Sequence, residues 1–318
     1  MKKQLKKIVS QRLRYLKLLK HHLKQLSFSD NLNKKRIIIC FNGVVPHGGL
    51  VDRLKGVISF YDVATTLDYE FYIQFNNPFS LQTFLEPNQY DWSIKNEAVT
   101  YNPTSTKIIS IINDFDVNPF QIIEKSKANT FLVYSNIDYL SKMHKKLSDD
   151  ELSEKWRNHF NTLFKKSDLL EQKLNKVSTQ LFNSFHTRFT SIMGDFADTT
   201  SYVISESEKE VLLLKLKNKV TELTNISNLP YYAFSDSSIF LNYISKECSV
   251  NLIEGQPFHM DNFKGDSSLE AHLKTLLDFF MIAKSKKVYF LKADRMYDSA
   301  FSKYAAIVGN KPFQRIEV

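Results

Sequence analysis

The chain has 318 residues, 43% of them hydrophobic, which suffices for two domains of ordinary size with proper cores and excludes a disordered protein. Its net charge of +9 is concentrated: residues 1–29 hold nine Lys/Arg and no acid, while the remainder balances 34 basic against 34 acidic side chains, which argues against a nucleic-acid-binding domain. The two cysteines, Cys40 and Cys248, match no metal-ligand or redox spacing, and no apolar run reaches the roughly 20 residues that span a bilayer, so the expected setting is a reduced cytoplasm.

In the N-terminal segment Leu5, Val9, Leu13, Leu16, Leu19, Leu23 and Leu26 recur every three or four residues, and the basic side chains fill much of the remaining surface. Residues 1–30 therefore read as a basic amphipathic helix. Two uses stay open. The helix lies on an anionic membrane surface, the inner face of the cytoplasmic membrane, or its leucine stripe docks on the body or on a second subunit.

The run 36–41, Arg-Ile-Ile-Ile-Cys-Phe, is a short continuous apolar segment of the kind buried in a parallel sheet. A glycine-rich turn follows, then apolar residues at helical spacing over 50–67 and a second strand over 71–75, the opening of a doubly wound α/β domain. Residues 76–105, rich in Asn, Pro and aromatics, read as an irregular insertion. Strands are expected at 108–112 and 130–134, and charged helical sequence at 149–175. The second half alternates more cleanly: strands at 181–188, 231–235, 250–254 and 287–292, with helices at 204–225, 237–246, 267–284 and 298–308. A second βαβ series follows from that alternation. The expected division is a helix over 1–30, a Rossmann-like acceptor domain over 31–165 and a Rossmann-like nucleotide-sugar domain over 166–318, with a ligand held in a cleft between the two domains.

Four of the eight glycines, Gly43, Gly48, Gly49 and Gly56, fall within fourteen positions, beside His47, Asp52, Arg53 and Lys55. Such a strand-to-helix loop can set backbone N–H groups and a helix N-terminus beside an anion, or it can be a tight turn that packs helix on sheet. His186-Thr187-Arg188 closes a predicted strand, where open α/β sheets bind ligands, although a surface ion pair explains a lone His-x-Arg as well. Asp236 precedes a predicted helix and fits either ligand binding or an N-cap. Asp278 and the group Ser299, Phe301 and Ser302 lie near the last helix, which a serine could simply cap.

These segments resemble, in order, motifs of the nodulation-type, α-1,2 and α-1,6 fucosyltransferases of the GT-B class. Gly48 to Ser59 is similar to that family's GGLGDRL-type segment, with Val51 where glycine is usual. Phe185-His186-Thr187-Arg188 resembles its His-x-Arg signature, with Phe189 in place of a second arginine. Tyr231 to Ser238 and the spacing from Asp278 to Ser299-Ala300-Phe301-Ser302 are similar to its later segments. The resemblance implies a GT-B fold of two Rossmann-like domains facing a central cleft. It implies that Arg188 pairs with the donor diphosphate, that His186 lies near the guanine and that Asp236 accepts guanine hydrogen bonds. Gly48, Gly49, Arg53, Asp278, Ser299, Phe301 and Ser302 complete the implied donor-binding set.

The implied reaction is an inverting, metal-independent transfer of fucose from GDP-fucose to a hydroxyl of a bacterial surface-glycan acceptor, with no cofactor. Arg188 would stabilise the departing diphosphate, and Asp195, Asp52 and His47 are the candidate proton acceptors. Asp114 and Asp116 could hold a cation but lie in the half opposite the expected donor site. The open alternatives are a GT-B transferase for another nucleotide sugar and an inactive, membrane-associated relative acting as an assembly partner.

Overall fold

A computed structural model describes residues 2–28, 34–177, 180–196, 201–256, 258–261 and 268–318. The chain divides into two compact units, Met1–Lys165 and Lys166–Val318. Each is an α/β unit built on a parallel sheet.

The first unit begins with α1 (Lys2–His22), followed by β1 (Arg36–Phe41), α2 (Leu50–Leu67), β2 (Glu70–Phe75), β3 (Leu85–Pro87), β4 (Thr106–Ser110), α3 (Pro119–Glu124), β5 (Thr130–Tyr134), α4 (Leu140–Met143), α5 (Asp149–Leu163) and β6 (Phe164–Lys166). Its main sheet runs β2-β1-β5-β4, every pairing parallel. β1 is central, with Ile37 to Phe41 all buried, which explains an apolar run without alternation. α2 covers the sheet with Leu54, Val57, Ile58 and Phe60. β3 and β6 form a separate two-stranded pair. The Asn- and aromatic-rich stretch before β4 is tied down, since Trp92 Nε1 donates to Leu163 O at 2.7 Å and Ile73 N donates to Trp92 O at 3.0 Å.

One buried carboxylate joins α2 to α4 and α5. Asp62 accepts from His144 Nε2 at 2.6 Å and His159 Nε2 at 2.8 Å, and Lys155 Nζ lies 2.8 Å away. Burial alone would raise this carboxyl; the hydrogen bonds from His159, Lys155 and His144 overcome it and hold it at about 2.

α1 packs on its own unit through an unexpected face. Gln11 Nε2 donates to Asp114 Oδ2 at 3.0 Å, Arg14 Nη1 donates to Ile112 O at 3.0 Å, Leu18 is fully buried, and buried His22 Nε2 lies 2.7 Å from Tyr134 Oη. Residues 11, 14, 18 and 22 share one side of a helix. The stripe residues Val9, Leu13, Leu16, Leu23 and Leu26 are exposed; Leu5 lies outside the residues whose side chains are described. Leu19 packs, half-buried, against the body's core, but the rest of the described stripe does not hold the helix to the body.

The second unit contains α6 (Asp168–Val177), β7 (Asn183–Thr187), α7 (Glu206–Ile226), β8 (Tyr231–Ser235), α8 (Ser238–Glu247), β9 (Val250–Asn251), α9 (Leu269–Lys284), β10 (Val288–Lys292), α10 (Phe301–Gly309) and β11 (Phe313–Glu317). Its sheet runs β11-β10-β7-β8-β9, again parallel throughout. The core beneath α7 and α8 gathers Phe185, Phe189, Leu216, Val220, Tyr231 and Phe240. α7 starts at a reciprocal cap: Ser205 Oγ accepts from Glu208 N, and the Glu208 carboxylate accepts from Ser205 N.

β4 starts and ends two residues earlier than the sequence suggests, because Ile111 and Ile112, though buried, belong to the turn after the strand. β11 has no counterpart in the sequence expectations. It is an edge strand whose inward and outward residues are half-buried or exposed, so it lacks the solid apolar run that marks the interior strands.

α10 crosses α9 at very short range: a Cβ added to Gly309 would lie 1.9 Å from Ala283 O. Gly309→Ala should therefore force the two helices apart and destabilise the protein by roughly 1–3 kcal/mol, despite the better helix propensity of alanine. A wild-type thermal unfolding midpoint in this variant would show that the helices do not meet there.

Candidate functional site

In the second unit the chain builds β7, β8 and β9 outward in one direction, then returns to place β10 and β11 on the other side of β7. The strand order therefore reverses between β7 and β10. Ligands of open α/β sheets bind beyond the carboxyl ends of the strands at such a switch point.

The sequence brings polar groups to that end of β7. His186 is paired in register with Phe290 on β10 and Phe234 on β8. Its ring packs against those of Phe290 and Phe301, each with centroids 5.5 Å away, and Nδ1 lies 3.2 Å from Ser302 Oγ. Burial, with the charge of Arg188 second, lowers the imidazole to about 3, so it is neutral at physiological pH. Ser299 Oγ accepts from Phe301 N at 3.2 Å, shaping the first turn of α10. His186, Ser299, Phe301 and Ser302 are thus brought together.

Arg188 follows two residues later. Its side chain is 20% exposed, Nε lies 3.3 Å from Asp236 Oδ2, and the guanidinium sits 4.7 Å from the Phe196 ring centroid. Asp236, at the end of β8, also accepts from Phe189 N at 2.8 Å through Oδ1 and from Thr190 N at 2.7 Å through Oδ2. Burial pushes its carboxyl up, against the opposing pull of Arg188 and the amides of Phe189 and Thr190. Asp236 therefore clamps the turn after β7. The α8 N-cap is Ser237, whose Oγ accepts from Phe240 N at 3.1 Å. Phe189 is fully buried against Phe240, with ring centroids 5.2 Å apart, so it serves the core.

Two other residues singled out in the sequence have internal partners. Asp195 Oδ2 accepts from Ser237 Oγ, Ser238 Oγ and Ile239 N at 2.9, 3.1 and 2.7 Å, fastening the 191–196 turn to the start of α8. Oδ2 is fully engaged, whereas Oδ1 is buried without a hydrogen-bond partner. Asp278 does not join the His186–Ser302 group through its carboxylate: both oxygens accept from Lys274 Nζ, at 2.5 and 2.7 Å, in a buried pair within α9. Its neighbour Phe279 does reach the group, with its ring centroid 5.6 Å from that of Phe301.

In the first unit, the glycine loop leads from β1 into α2. Gly43 and Gly48 take φ of +78° and +86°, where other residues are strained. Arg53 is buried, donating through Nε to Gly48 O at 3.2 Å and through Nη1 to Asn77 O at 2.6 Å, with its guanidinium near the Phe41 and Phe75 rings. It holds the loop's backbone in place. His47 is buried too, its centroid 4.8 Å from Phe41 and 5.8 Å from Tyr134; burial, then the charge of Arg53, lowers it to about 3. A buried imidazole of that kind is poorly suited to take a proton from a substrate. Asp52, in the first turn of α2, pairs with Lys55 Nζ at 3.0 Å and has a side chain 43% exposed. Of the three candidate proton acceptors, Asp52 has the most accessible carboxylate. Gly49 caps α2 in an extended conformation.

Sequence reasoning did not single out Phe196 or Thr190. The Arg188–Phe196 contact and the Thr190–Asp236 bond depend on how the chain folds back, and local spacing carries no signal of either. Asp114 Oδ2 is engaged by Gln11. Among the described residues no group of three or more His, Cys, Asp or Glu is placed to hold a metal ion, and no helix is long and apolar enough to cross a membrane.

The fold with two Rossmann-like units is that of the GT-B class. Among solved structures, the chain is similar to a point mutant of the fucosyltransferase FUT1 of Arabidopsis thaliana in complex with GDP, with a TM-score of 0.52 and 11% identity over 94% of this chain and 73% of that one. At that identity the likeness is one of fold. No protein-family profile matches the sequence, and no curated protein matches it.

Three buried imidazoles set an acid limit on stability. His22 is lowered to about 4, chiefly by burial, and His47 and His186 to about 3. Unfolded, each titrates near 6.5. The unfolded chain therefore binds more protons once pH falls below about 6.5, and stability is lost progressively from there towards pH 3–4. Asp62, held at about 2, adds a second loss only at lower pH, below the ordinary carboxylate value of 3.8. Urea midpoints at pH 7.5 and 4.5 should show a clear drop, reduced in a His47→Gln, His186→Gln double variant. An unchanged wild-type midpoint would mean that these rings already carry protons in the fold.

Proposed function

We propose that the chain is a glycosyltransferase that uses GDP-fucose and transfers the sugar to a hydroxyl of a bacterial surface-glycan acceptor. One observation carries this reading: in a fold shared with a GDP-bound fucosyltransferase, His186 and Arg188 stand at the carboxyl end of β7, where the strand order reverses. There the donor diphosphate would lie against Arg188 and the first turn of α10, with Ser299 and Ser302 beside it. A guanidinium forms strong charge-assisted bonds to phosphate oxygens. As the bond from sugar C1 to the β-phosphate oxygen breaks, negative charge builds on the leaving GDP, and Arg188 meets it in the transition state. The acceptor oxygen attacks C1 from the opposite side, so the anomeric configuration inverts. Its proton passes to a general base. In this reading Arg188 and helix N-termini supply the positive potential without a divalent ion.

A second reading, a different nucleotide in the same site, draws on Asp236. The position that the family resemblance assigns to guanine has both carboxylate oxygens engaged with Arg188, Phe189 and Thr190.

Thermal unfolding with GDP and with UDP separates the two readings, since ligand at 100 times Kd stabilises by about 2.7 kcal/mol. GDP should raise the midpoint and UDP should not. Arg188→Ala should lose most of the GDP-induced rise and slow GDP release from GDP-fucose by roughly 10²–10³-fold, with Arg188→Lys intermediate. Stabilisation by UDP alone would replace the donor. No response to either nucleotide would leave the chain an inactive relative.

A further inference from the structure

The orientation of α1 points to a lipid-binding surface. The helix is held to its unit by Gln11, Arg14, Leu18 and His22. At about 100° per residue, Val9, Leu13 and Leu16 project from the opposite side, Leu13 and Leu16 being 63% and 58% exposed; Leu23, in the 3-10 turn that follows α1, is also exposed. A helix whose function was only to pack on the body would turn these side chains inward and the polar ones outward. Apart from Leu18 and half-buried Leu19, docking is done by polar groups, and the rest of the described apolar stripe is left facing water.

The charge around that stripe selects its occupant. Arg12 and Lys17 are exposed on its flanks, Lys20 is exposed within it, and Lys24 is exposed in the 3-10 turn that follows α1. Residues 1–29 hold nine basic residues and no acid, in a chain otherwise balanced in charge. Two copies of this face packed together would place like charges against each other with no carboxylate in the segment to relieve them. A bilayer with anionic headgroups offers apolar depth for the leucines and negative charge for the rim. We infer that the exposed face of α1 and of the turn after it, Val9, Leu13, Leu16 and Leu23 together with Arg12, Lys17, Lys20 and Lys24, seats the protein on an anionic lipid surface.

The full-length chain is co-sedimented with vesicles of phosphatidylcholine alone and with vesicles containing phosphatidylglycerol, at low and high salt. Wild type should pellet with the anionic vesicles, more weakly as salt rises. Leu13→Gln with Leu16→Gln should weaken partitioning on the order of tenfold or more. These positions are exposed, so the variant should keep the wild-type unfolding midpoint, which is measured alongside. Lys17→Gln with Lys20→Gln and Lys24→Gln should bind less and show a flatter salt dependence. Wild type that ignores anionic vesicles, or a leucine variant that binds as wild type does, overturns the inference. A dimer in sedimentation velocity that the leucine substitutions dissolve, with no vesicle binding, would assign the stripe to a second copy instead. Vesicle binding is read without nucleotide or sugar, so its outcome is separate from that of the GDP titration.

Discussion

Moving a carboxylate out of water is unfavourable unless nearby dipoles and charges replace its hydration. Asp236 meets that condition by taking two backbone amides and one guanidinium, all from a single turn at the end of β7. The consequences run through the whole end of the sheet. Thr190 is held in the left-handed region at φ +57°, Phe189 is directed into the core, and Arg188 is drawn to Asp236 just past the end of β8. The terminus of β7 becomes a fixed platform, the kind of element on which a binding group keeps its geometry.

The same end of the sheet contains a histidine that adds no charge. His186 is buried and lowered to about 3, so it acts there as a neutral hydrogen-bonding group joined to Ser302. With Phe189 in the core, the positive charge at the β7 terminus comes from Arg188. Among the described residues at that terminus, the Arg188 guanidinium is the group an anion bound there would meet. Such a site depends strongly on orientation, which is what the Asp236 clamp provides.

Much of this architecture can be read from the chain itself, and the reasons are local. The runs that became β1, β5, β8 and β10 are short and largely apolar, β-branched or aromatic, because strands covered on both faces tend to be, whereas β7, Asn-Ser-Phe-His-Thr, is equally buried but mostly polar. Where burial is one-sided or slight, as in β11, the pattern fades and the strand goes unread. The site was legible as a set of positions but less so as a set of roles. His186, Phe301 and Ser302 converge, whereas Asp195, Asp236 and Asp278 are each taken up by internal bonds with residues of other turns or along a helix. A carboxylate that caps a helix and one that awaits a ligand look alike until the fold shows who is already there. The leucine stripe of α1 shows the same limit: periodicity finds the face, and only tertiary contacts reveal which way it points.

The glycine loop of the first unit illustrates how packing and function divide a motif. A Cβ on Gly43 would lie 2.7 Å from Asn77 Cγ, on Gly48 2.5 Å from Asp52 Oδ2, and on Gly56 2.5 Å from Ser135 O, so the fold alone accounts for those three. Gly49 differs: a Cβ there meets nothing within 4 Å, and its backbone is extended, a conformation open to any residue. Nothing within the unit requires glycine at that position. The accessible points of the loop include Pro46, Gly49 and the half-exposed Asp52 at the start of α2, with Leu50 and Val51 buried between the last two, while His47 and Arg53, the more conspicuous residues in sequence, are consumed in holding the loop's shape. A group reaching this loop from solvent would meet Pro46, backbone and the Asp52 carboxylate rather than an imidazole.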